Sequence, residues 1–268
     1  MAGNGSFCVL SAGSGQGGLV RDQLKTMCFT VNVNLVKDEL ENRYGAEFPD
    51  HDRFQPSYYY HAYGLPEIPA ICSESPEKIS LLKWGLIPFW VKSTEDAKEI
   101  RYKTFNARAE TLASKPSFSS AFRLKRCIVP VAGFFEWQHV GNKKIPWYIY
   151  SANNDIMSIA GLYDKWVETS TGEILSTFTI ITTDANEMMA EIHNSKKRMP
   201  VILDKSEEKN WIDLSLAAET AAALLRPCPS KALSAHTIGD LINNRSADRN
   251  NPDVIRPFDR NESTSSLF

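Results

Sequence analysis

Short runs of apolar residues, several alternating with polar ones, begin after Met27 and predict a chain rich in β-strands. The runs are irregularly spaced, and turn-forming or charged residues separate them. The predicted strands cover residues 28–33, 79–84, 127–138, 147–150, 156–163, 177–182 and 201–203.

Helices interrupt these strands without a regular strand–helix alternation. One helix is predicted over residues 35–44, where Gly45 stops it. Acidic capping patterns that begin at Asp184 and Asp204 predict two more, which end near residues 193 and 214. This order predicts an α+β fold with a mixed, barrel-like β core and peripheral helices in a single domain.

The first 26 residues differ from the rest, because they hold six of the fourteen glycines and no periodic apolar pattern. We predict a flexible leader, or a start placed upstream of the natural one, over residues 1–26. A folded domain is predicted over residues 27–258 and a disordered tail over residues 259–268. The leader lacks the early basic residues and the apolar run of a secretory signal, so export is not expected.

Composition narrows the functional classes. No run approaches the roughly 18 apolar residues of a membrane span, so a soluble protein is predicted. The five cysteines are widely spaced and form no C-x-x-C pair, which argues against a disulfide framework or a zinc site and favours a reducing cytoplasm. No metal and no organic cofactor are expected.

Charge bears on any nucleic-acid surface. The net charge of −2 gives no bulk attraction to phosphates, so a phosphate-binding surface has to be local. Residues 92–126 hold nine Lys or Arg against four Asp or Glu and are the candidate segment.

Glu136 is the most distinctive candidate for chemistry. In a strand it shares a face with Phe134, while Phe135 and Trp137 point the other way. Burial among aromatic rings would raise its pKa and let it exchange protons near neutral pH. The alternative is an exposed carboxylate at a sheet edge. Taken singly, Cys28 is more typical of a small core residue, and His193 is more typical of a structural hydrogen-bonder than of a catalyst.

The basic segment offers further candidates. Asn106 and Arg108 lie where a helix is predicted to begin near Ala107, and such a turn can bind a phosphate. An ordinary Asn cap beside a solvated Arg is the alternative. The side chains that could stack on unpaired bases, although tryptophan more often packs in a core, are Trp84, Trp90 and Trp137.

Five ordered motifs carry a family resemblance between residues 27 and 258. They are Met27-Cys28, Lys83-Trp84-Gly85-Leu86-Ile87-Pro88, Asn106-Ala107-Arg108-Ala109-Glu110-Thr111, Gly133-Phe134-Phe135-Glu136-Trp137, and His193 with Arg198-Met199-Pro200-Val201-Ile202-Leu203. Together they resemble the SOS response-associated peptidase (SRAP) family, whose members shield abasic sites. Two departures from the family pattern stand out. Phe29-Thr30 follows Met-Cys where the family has Gly-Arg. Four residues separate His193 from Arg198, whereas the family usually places the histidine two residues before Arg-Met-Pro.

The resemblance implies a β-barrel-like core with a positively charged groove for single-stranded DNA. The implied catalytic residues are Cys28, Asn106, Glu136 and His193. The predicted DNA contacts are Arg108, Trp84, Trp137 and Arg198. The expected partner is single-stranded DNA that contains abasic sites, bound by a monomer associated with the nucleoid.

A mature N-terminal Cys28 would suit this chemistry. The ring-opened abasic site is an aldehyde, and an N-terminal cysteine presents an amine and a thiol that close a thiazolidine on it. The α-amine has a pKa of about 7.7 to 8, so part of it is neutral and nucleophilic in the cell. We expect Glu136 to shuttle protons, His193 to assist sugar-ring opening and Asn106 to orient the reactants.

A peptide bond from Met27 consumes that amine, so the active form is expected to begin at Cys28. Removal of an initiating Met27 or self-cleavage before Cys28 would expose it. Two other functions remain open. One is a cysteine-type, self-processing peptidase that uses Cys28, His193 and Glu136. The other is a non-enzymatic single-stranded DNA-binding module.

Overall fold

The computed structural model of the protein describes residues 29–260, and its centre is a closed barrel of five strands. Within that part of the chain the strands are β1 (Thr30–Val33), β2 (Ser57–His61), β3 (Glu67–Cys72), β4 (Ile79–Trp84), β5 (Asn106–Arg108), β6 (Arg126–Val131), β7 (Gly133–Val140), β8 (Lys143–Ser151), β9 (Met157–Val167), β10 (Ile174–Asp184), β11 (Arg198–Pro200), β12 (Ile202–Leu203) and β13 (Leu233–Thr237). The α-helices are α1 (Lys37–Tyr44), α2 (Thr94–Arg101), α3 (Ser119–Leu124), α4 (Glu187–Ile192), α5 (Glu208–Ile212) and α6 (Ala218–Ala223).

The barrel runs in the order β10, β4, β3, β6 and β9, and it closes because β9 pairs with β10. Its strands are antiparallel except for β4 and β10, which are parallel. Strands β5 and β11 extend the sheet along β10, and β12 extends it along β9. The predicted α+β fold with a mixed, barrel-like core in one domain is therefore confirmed.

A second, antiparallel sheet packs against the barrel in the order β13, β8, β7, β1 and β2. Side chains alternate between its two faces. Phe134 and Ile149 join the main core with the barrel, whereas Phe135 and Tyr148 join a smaller cluster on the other face. Glu136 follows Phe134 by two residues, so its carboxyl group points toward the barrel side.

Several predicted elements match the structure. The strand predicted over residues 79–84 is β4, and the first helix ends at Tyr44 because Gly45 adopts the left-handed conformation, with φ of 63°.

Two predicted elements differ in detail. The run at 127–138 is two strands rather than one. The helix that ends at Ile192 is capped by the side chain of Asn186, not by Asp184.

The helix predicted near Ala107 is wrong, because residues 106–108 form β5, which pairs with β10 in parallel. The sequence reasoning also missed β2, β3 and β13 and the helices α2, α3 and α6. The predicted leader lies outside the described residues, as do residues 261–268 of the predicted tail. Arg260, which was assigned to that tail, donates a hydrogen bond to the Ile238 carbonyl at 2.9 Å.

Candidate active site

Glu136 is buried in the sheet, where β7 runs between β1 and β8. Only 4% of the residue is exposed, and its Oε1 atom has no hydrogen-bond partner within residues 29–260. Desolvation by burial raises the pKa of the carboxyl group to about 8, although a hydrogen bond from the Trp137 backbone opposes the shift. The exposed alternative is thus wrong. The group is mostly protonated at neutral pH and able to exchange its proton there.

His193 lies at the end of α4, and its ring faces Glu136. Its Nδ1 atom is 2.9 Å from the Arg198 carbonyl oxygen. Since a carbonyl oxygen only accepts, Nδ1 carries the proton, and Nε2 of the neutral ring keeps a lone pair. Burial lowers the pKa of His193. Nδ1 is also 3.7 Å from Oε1 of Glu136, so the structure brings these two predicted residues together as a neutral pair rather than an ion pair.

Asn106 and Arg108 lie on β5, with Asn106 opposite Ile180 and Arg108 opposite Thr182. Asn106 is buried, whereas Arg108 is exposed and makes no ion pair with a carboxylate in the described part of the chain. The strand points Asn106 and Arg108 to the same face and Ala107 to the other. This arrangement leaves a free guanidinium group beside a buried amide.

Arg198 joins two of the sequence motifs. Its guanidinium group forms a two-pronged ion pair with Glu110, at 2.7 and 2.9 Å, and also binds the Thr182 carbonyl oxygen at 2.7 Å. Asp184 completes the set at 2.8 Å. The sequence reasoning missed Glu110 and Asp184, because residues of opposite charge so far apart give no pairing signal. A phosphate could take the place of Asp184, whose side chain is 81% exposed, so a DNA contact by Arg198 stays a prediction.

The three candidate tryptophans have different environments. Trp84 is fully buried, donates from Nε1 to the Phe105 carbonyl oxygen and stacks on Phe178. The prediction that Trp84 contacts DNA is therefore corrected, since its ring has no exposed face. Trp137 is half-buried and donates to the Asn243 side chain at 3.0 Å. Trp90 is 45% exposed, beside an exposed Phe89.

Phe29 is the first described residue, and Cys28 lies outside the described part of the chain. The pairing of Val31 with Phe134, continued by two residues, sets position 29 opposite Glu136. The ring of Phe29 packs edge-on against Phe105, the residue before Asn106, with centroids 5.9 Å apart. The residue that follows Cys28 therefore contacts the residue before Asn106, and it precedes β1, which pairs with the strand of Glu136.

The basic segment is less uniform than its composition indicated. Arg126 is fully buried, Lys125 pairs with Asp164, and Lys103 pairs with Glu99. The sequence reasoning overlooked two other cations, Arg245 and Arg249, in the loop that follows β13. Neither pairs with a carboxylate within residues 29–260.

Two further properties of residues 29–260 concern membranes and metal ions. No helix there is long and apolar enough to cross a membrane. Over the same residues, no three His, Cys, Asp or Glu side chains are grouped so that they could hold a metal ion.

Comparisons with known proteins agree on one family. Residues 27–245 match the model of the SOS response associated peptidase (SRAP) family. The chain is 39% identical to Abasic site processing protein YoqW of Bacillus subtilis over 76% of this chain and 90% of that protein. It is 33% identical to Abasic site processing protein HMCES of Xenopus tropicalis over 81% of this chain and 75% of that protein. A crystal structure of a protein from Bacteroides thetaiotaomicron is 40% identical and superposes with a TM-score of 0.81, covering 86% of this chain and all of that one.

Proposed function

The chain belongs to the SOS response-associated peptidase family, and from this premise we propose that it processes abasic sites in single-stranded DNA by forming a covalent crosslink through Cys28. The observation that carries the proposal is the buried, neutral pair of Glu136 and His193, with Glu136 on the strand that pairs with β1. Relatives named as abasic site processing proteins align with most of this chain, and this similarity supports abasic sites as the substrate.

The reaction is a condensation and involves no change of oxidation state. The α-amine of Cys28 adds to the aldehyde carbon of the ring-opened site to give a carbinolamine, which loses water to give an imine. The thiol then adds across the C=N bond, so that the imine carbon gains sulfur and the nitrogen gains a proton. Because this last step is intramolecular, an effective molarity of roughly 10⁵ M or more favours ring closure over imine hydrolysis.

Glu136 is assigned the proton transfers of the carbinolamine. With a pKa of about 8, the carboxyl group exists in both protonation states near neutral pH, so it can protonate the departing hydroxyl and then accept a proton. Within residues 29–260 its Oε1 atom has no hydrogen-bond partner, so we assign it the binding of a reactant. His193, whose Nε2 keeps a lone pair, is assigned the opening of the sugar ring, and Asn106 the orientation of the amine or aldehyde.

The DNA surface is assigned to exposed and half-buried side chains of the motifs and the basic segment. Arg108 supplies a phosphate contact, because it is exposed and unpaired in the described chain. Phe89 and Trp90 offer exposed rings for base stacking. Trp137 offers only part of its ring, since it is half-buried and its Nε1 atom is taken by Asn243.

The proposal requires a free amine at Cys28, and the test follows from that requirement. A protein expressed from Met27, with an N-terminal cysteine confirmed by intact mass, is mixed with single-stranded DNA that carries one abasic site. We expect a heat-stable adduct whose mass is the sum of the two components less one water. The full 268-residue chain, checked by mass before and after the reaction, should bind DNA without forming this adduct.

An adduct of equal yield from the intact full-length chain would overturn the proposal and favour a lysine Schiff base. Peptide cleavage before Cys28 in the absence of DNA would support the peptidase activity that the family name describes, because the same buried pair could serve an attack on that peptide bond. Binding without any covalent product would leave a DNA-binding module as the better description.

A further inference from the structure

Four aromatic rings form a continuous ladder that begins on β2 and continues past its end. Tyr59, His61 and Tyr63 follow one another at every second position, and Tyr102, at the end of α2, completes the ladder. Successive ring centroids are 6.1, 5.5 and 6.2 Å apart, with interplanar angles of 26°, 30° and 28°. The rings therefore lie almost parallel in one row.

The third ring of this aromatic ladder, Tyr63, connects it to the candidate active site. The ring of Tyr63 contacts Phe29 at a centroid distance of 5.6 Å and Phe105 at 5.0 Å. Phe29 follows Cys28 in sequence, and Phe105 precedes Asn106. The ladder also meets β1 directly, since the Thr30 hydroxyl lies 2.9 Å from Nδ1 of His61.

The Tyr59 end of the ladder carries positive charge. The guanidinium group of Arg249 lies 4.1 Å from the centroid of the Tyr59 ring and donates to its hydroxyl oxygen at 2.7 Å. Arg245 lies in the same loop and is exposed. Neither arginine has a carboxylate partner within residues 29–260, so in this part of the chain the charges of two cations near the ladder are not neutralised by an ion pair.

Core packing does not account for this surface. Tyr63 and Tyr102 remain 36% and 39% exposed, and an aromatic row that served only the core would bury its outer rings. Exposed rings in a row with cations alongside suit a flexible polyanion that also carries flat apolar groups, which describes single-stranded nucleic acid. A folded acidic protein would match the charges but would leave the spacing of the rings without a role.

We propose that the aromatic ladder, with Arg245 and Arg249, binds the nucleotides on one side of the abasic site. The inference rests on the proposed function and deepens it, because it gives the DNA strand a direction of exit from the site. The bases stack against the exposed rings, and the arginines contact the phosphates that follow. The nucleotides on the other side of the abasic site lie outside the ladder.

The test uses a tetrahydrofuran analogue of the abasic site, which cannot form an aldehyde and so binds reversibly. One probe carries nucleotides only on the 5′ side of the analogue and a second only on the 3′ side. Affinity is measured by fluorescence anisotropy for the wild type, Tyr102→Ala and Tyr102→Phe. We expect Tyr102→Ala to lower the affinity for one probe by about five-fold or more and to leave the affinity for the other unchanged. A five-fold loss is the low end of the range expected for one lost base stack. Tyr102→Phe keeps the ring and should match the wild type.

Arg249→Ala gives a second readout. On the probe that senses Tyr102, it should lower the slope of log affinity against log salt by about 0.7, as expected for one lost phosphate contact on a single strand. Arg256→Ala is the matched control, because Arg256 lies nearby in the chain but already pairs with Asp253 at 2.7 Å. Its salt slope should equal that of the wild type.

Two results would overturn the ladder while leaving the proposed function intact. One is unchanged binding of Tyr102→Ala to both probes, and the other is an equal loss on both, provided that the wild type binds and still crosslinks reactive abasic DNA. A wild type that neither binds the probes nor forms an adduct would overturn the ladder and the proposed function together.

Discussion

Replacing Glu136 by Gln should stabilise the protein more strongly as the pH rises, while it slows crosslinking. Burial raises the pKa of the carboxyl group from an ordinary value of 4.5 to about 8 in the folded state, and unfolding restores the ordinary value. The folded state therefore holds this proton more tightly. The stabilisation that comes from this bound proton is fully present below about pH 4.5 and is lost as the pH rises through about 8. Gln does not titrate, so the variant does not lose stability in this way as the pH rises.

The size of the effect follows from the shift. At about 1.4 kcal/mol per pKa unit, the free energy of unfolding falls by about 5 kcal/mol across the whole window, of which about 3 kcal/mol is lost by pH 7. His193 has the opposite sign, because burial lowers its pKa and its contribution is lost as the pH falls. Subtracting the variant from the wild type at each pH removes the groups that the two proteins share.

Chemical denaturation of both proteins at pH 5, 6, 7 and 8 gives the required differences, and Glu219→Gln is the control because Glu219 is exposed. We expect the stability difference between Glu136→Gln and the wild type to grow by several kcal/mol from pH 5 to pH 8, and the Glu219→Gln difference to stay flat. The crosslinking rate of Glu136→Gln should fall by about 100-fold or more, the usual scale for a lost general acid–base. Parallel stability profiles for the wild type and Glu136→Gln would refute the raised pKa, and equal crosslinking rates would remove the residue from the mechanism.

Three further predictions concern the remaining site residues. Cys28→Ser should abolish the heat-stable adduct, because a hydroxyl is a far weaker nucleophile for ring closure; intact mass after the reaction measures this, and an undiminished yield would place the nucleophile elsewhere. Arg108→Ala should weaken binding to intact and abasic strands alike and lower the salt slope by about 0.7; an unchanged slope counts against a phosphate contact. Glu110→Gln removes one carboxylate from Arg198, whose carbonyl holds His193, so the pH profile of crosslinking should shift; a profile that superimposes on the wild type would show that Glu110 does not position His193.

Local alternation explains what could be predicted of the fold and the site. The burial of Glu136 follows from its two-residue spacing to Phe134, because side chains on a strand take alternate faces. The same rule gives the strand Ile79–Trp84, whose inward positions include Leu82 and Trp84. The same alternation, applied to the last residue of this strand, predicts that Trp84 is buried with Leu82.

Pairing between distant segments explains what could not be predicted. The strand Asn106–Arg108 has three residues, too few for any periodicity, and it exists because β10 pairs with it. Glu110 and Arg198 form an ion pair that no local pattern foreshadows. Part of the aromatic ladder is visible in the sequence, since Tyr59, His61 and Tyr63 are two residues apart, but the contact of Tyr63 with Tyr102 depends on the fold that brings the end of α2 to this segment.

The neutral state of Glu136 bears on the first step of the proposed reaction. An ionised carboxylate beside the amine of Cys28 would hold that amine as an ammonium ion, which has no lone pair with which to attack an aldehyde. A protonated carboxyl group leaves the amine its ordinary pKa of about 8 or, in a desolvated site, a lower one. In the proposed reaction, burial of Glu136 would therefore do two things at once: it would avoid trapping the nucleophile as an ammonium ion, and it would keep an acid ready to release water from the carbinolamine. The cost is a carboxyl group whose burial lowers stability at neutral pH, which is why the variant that is slower should also be the more stable one.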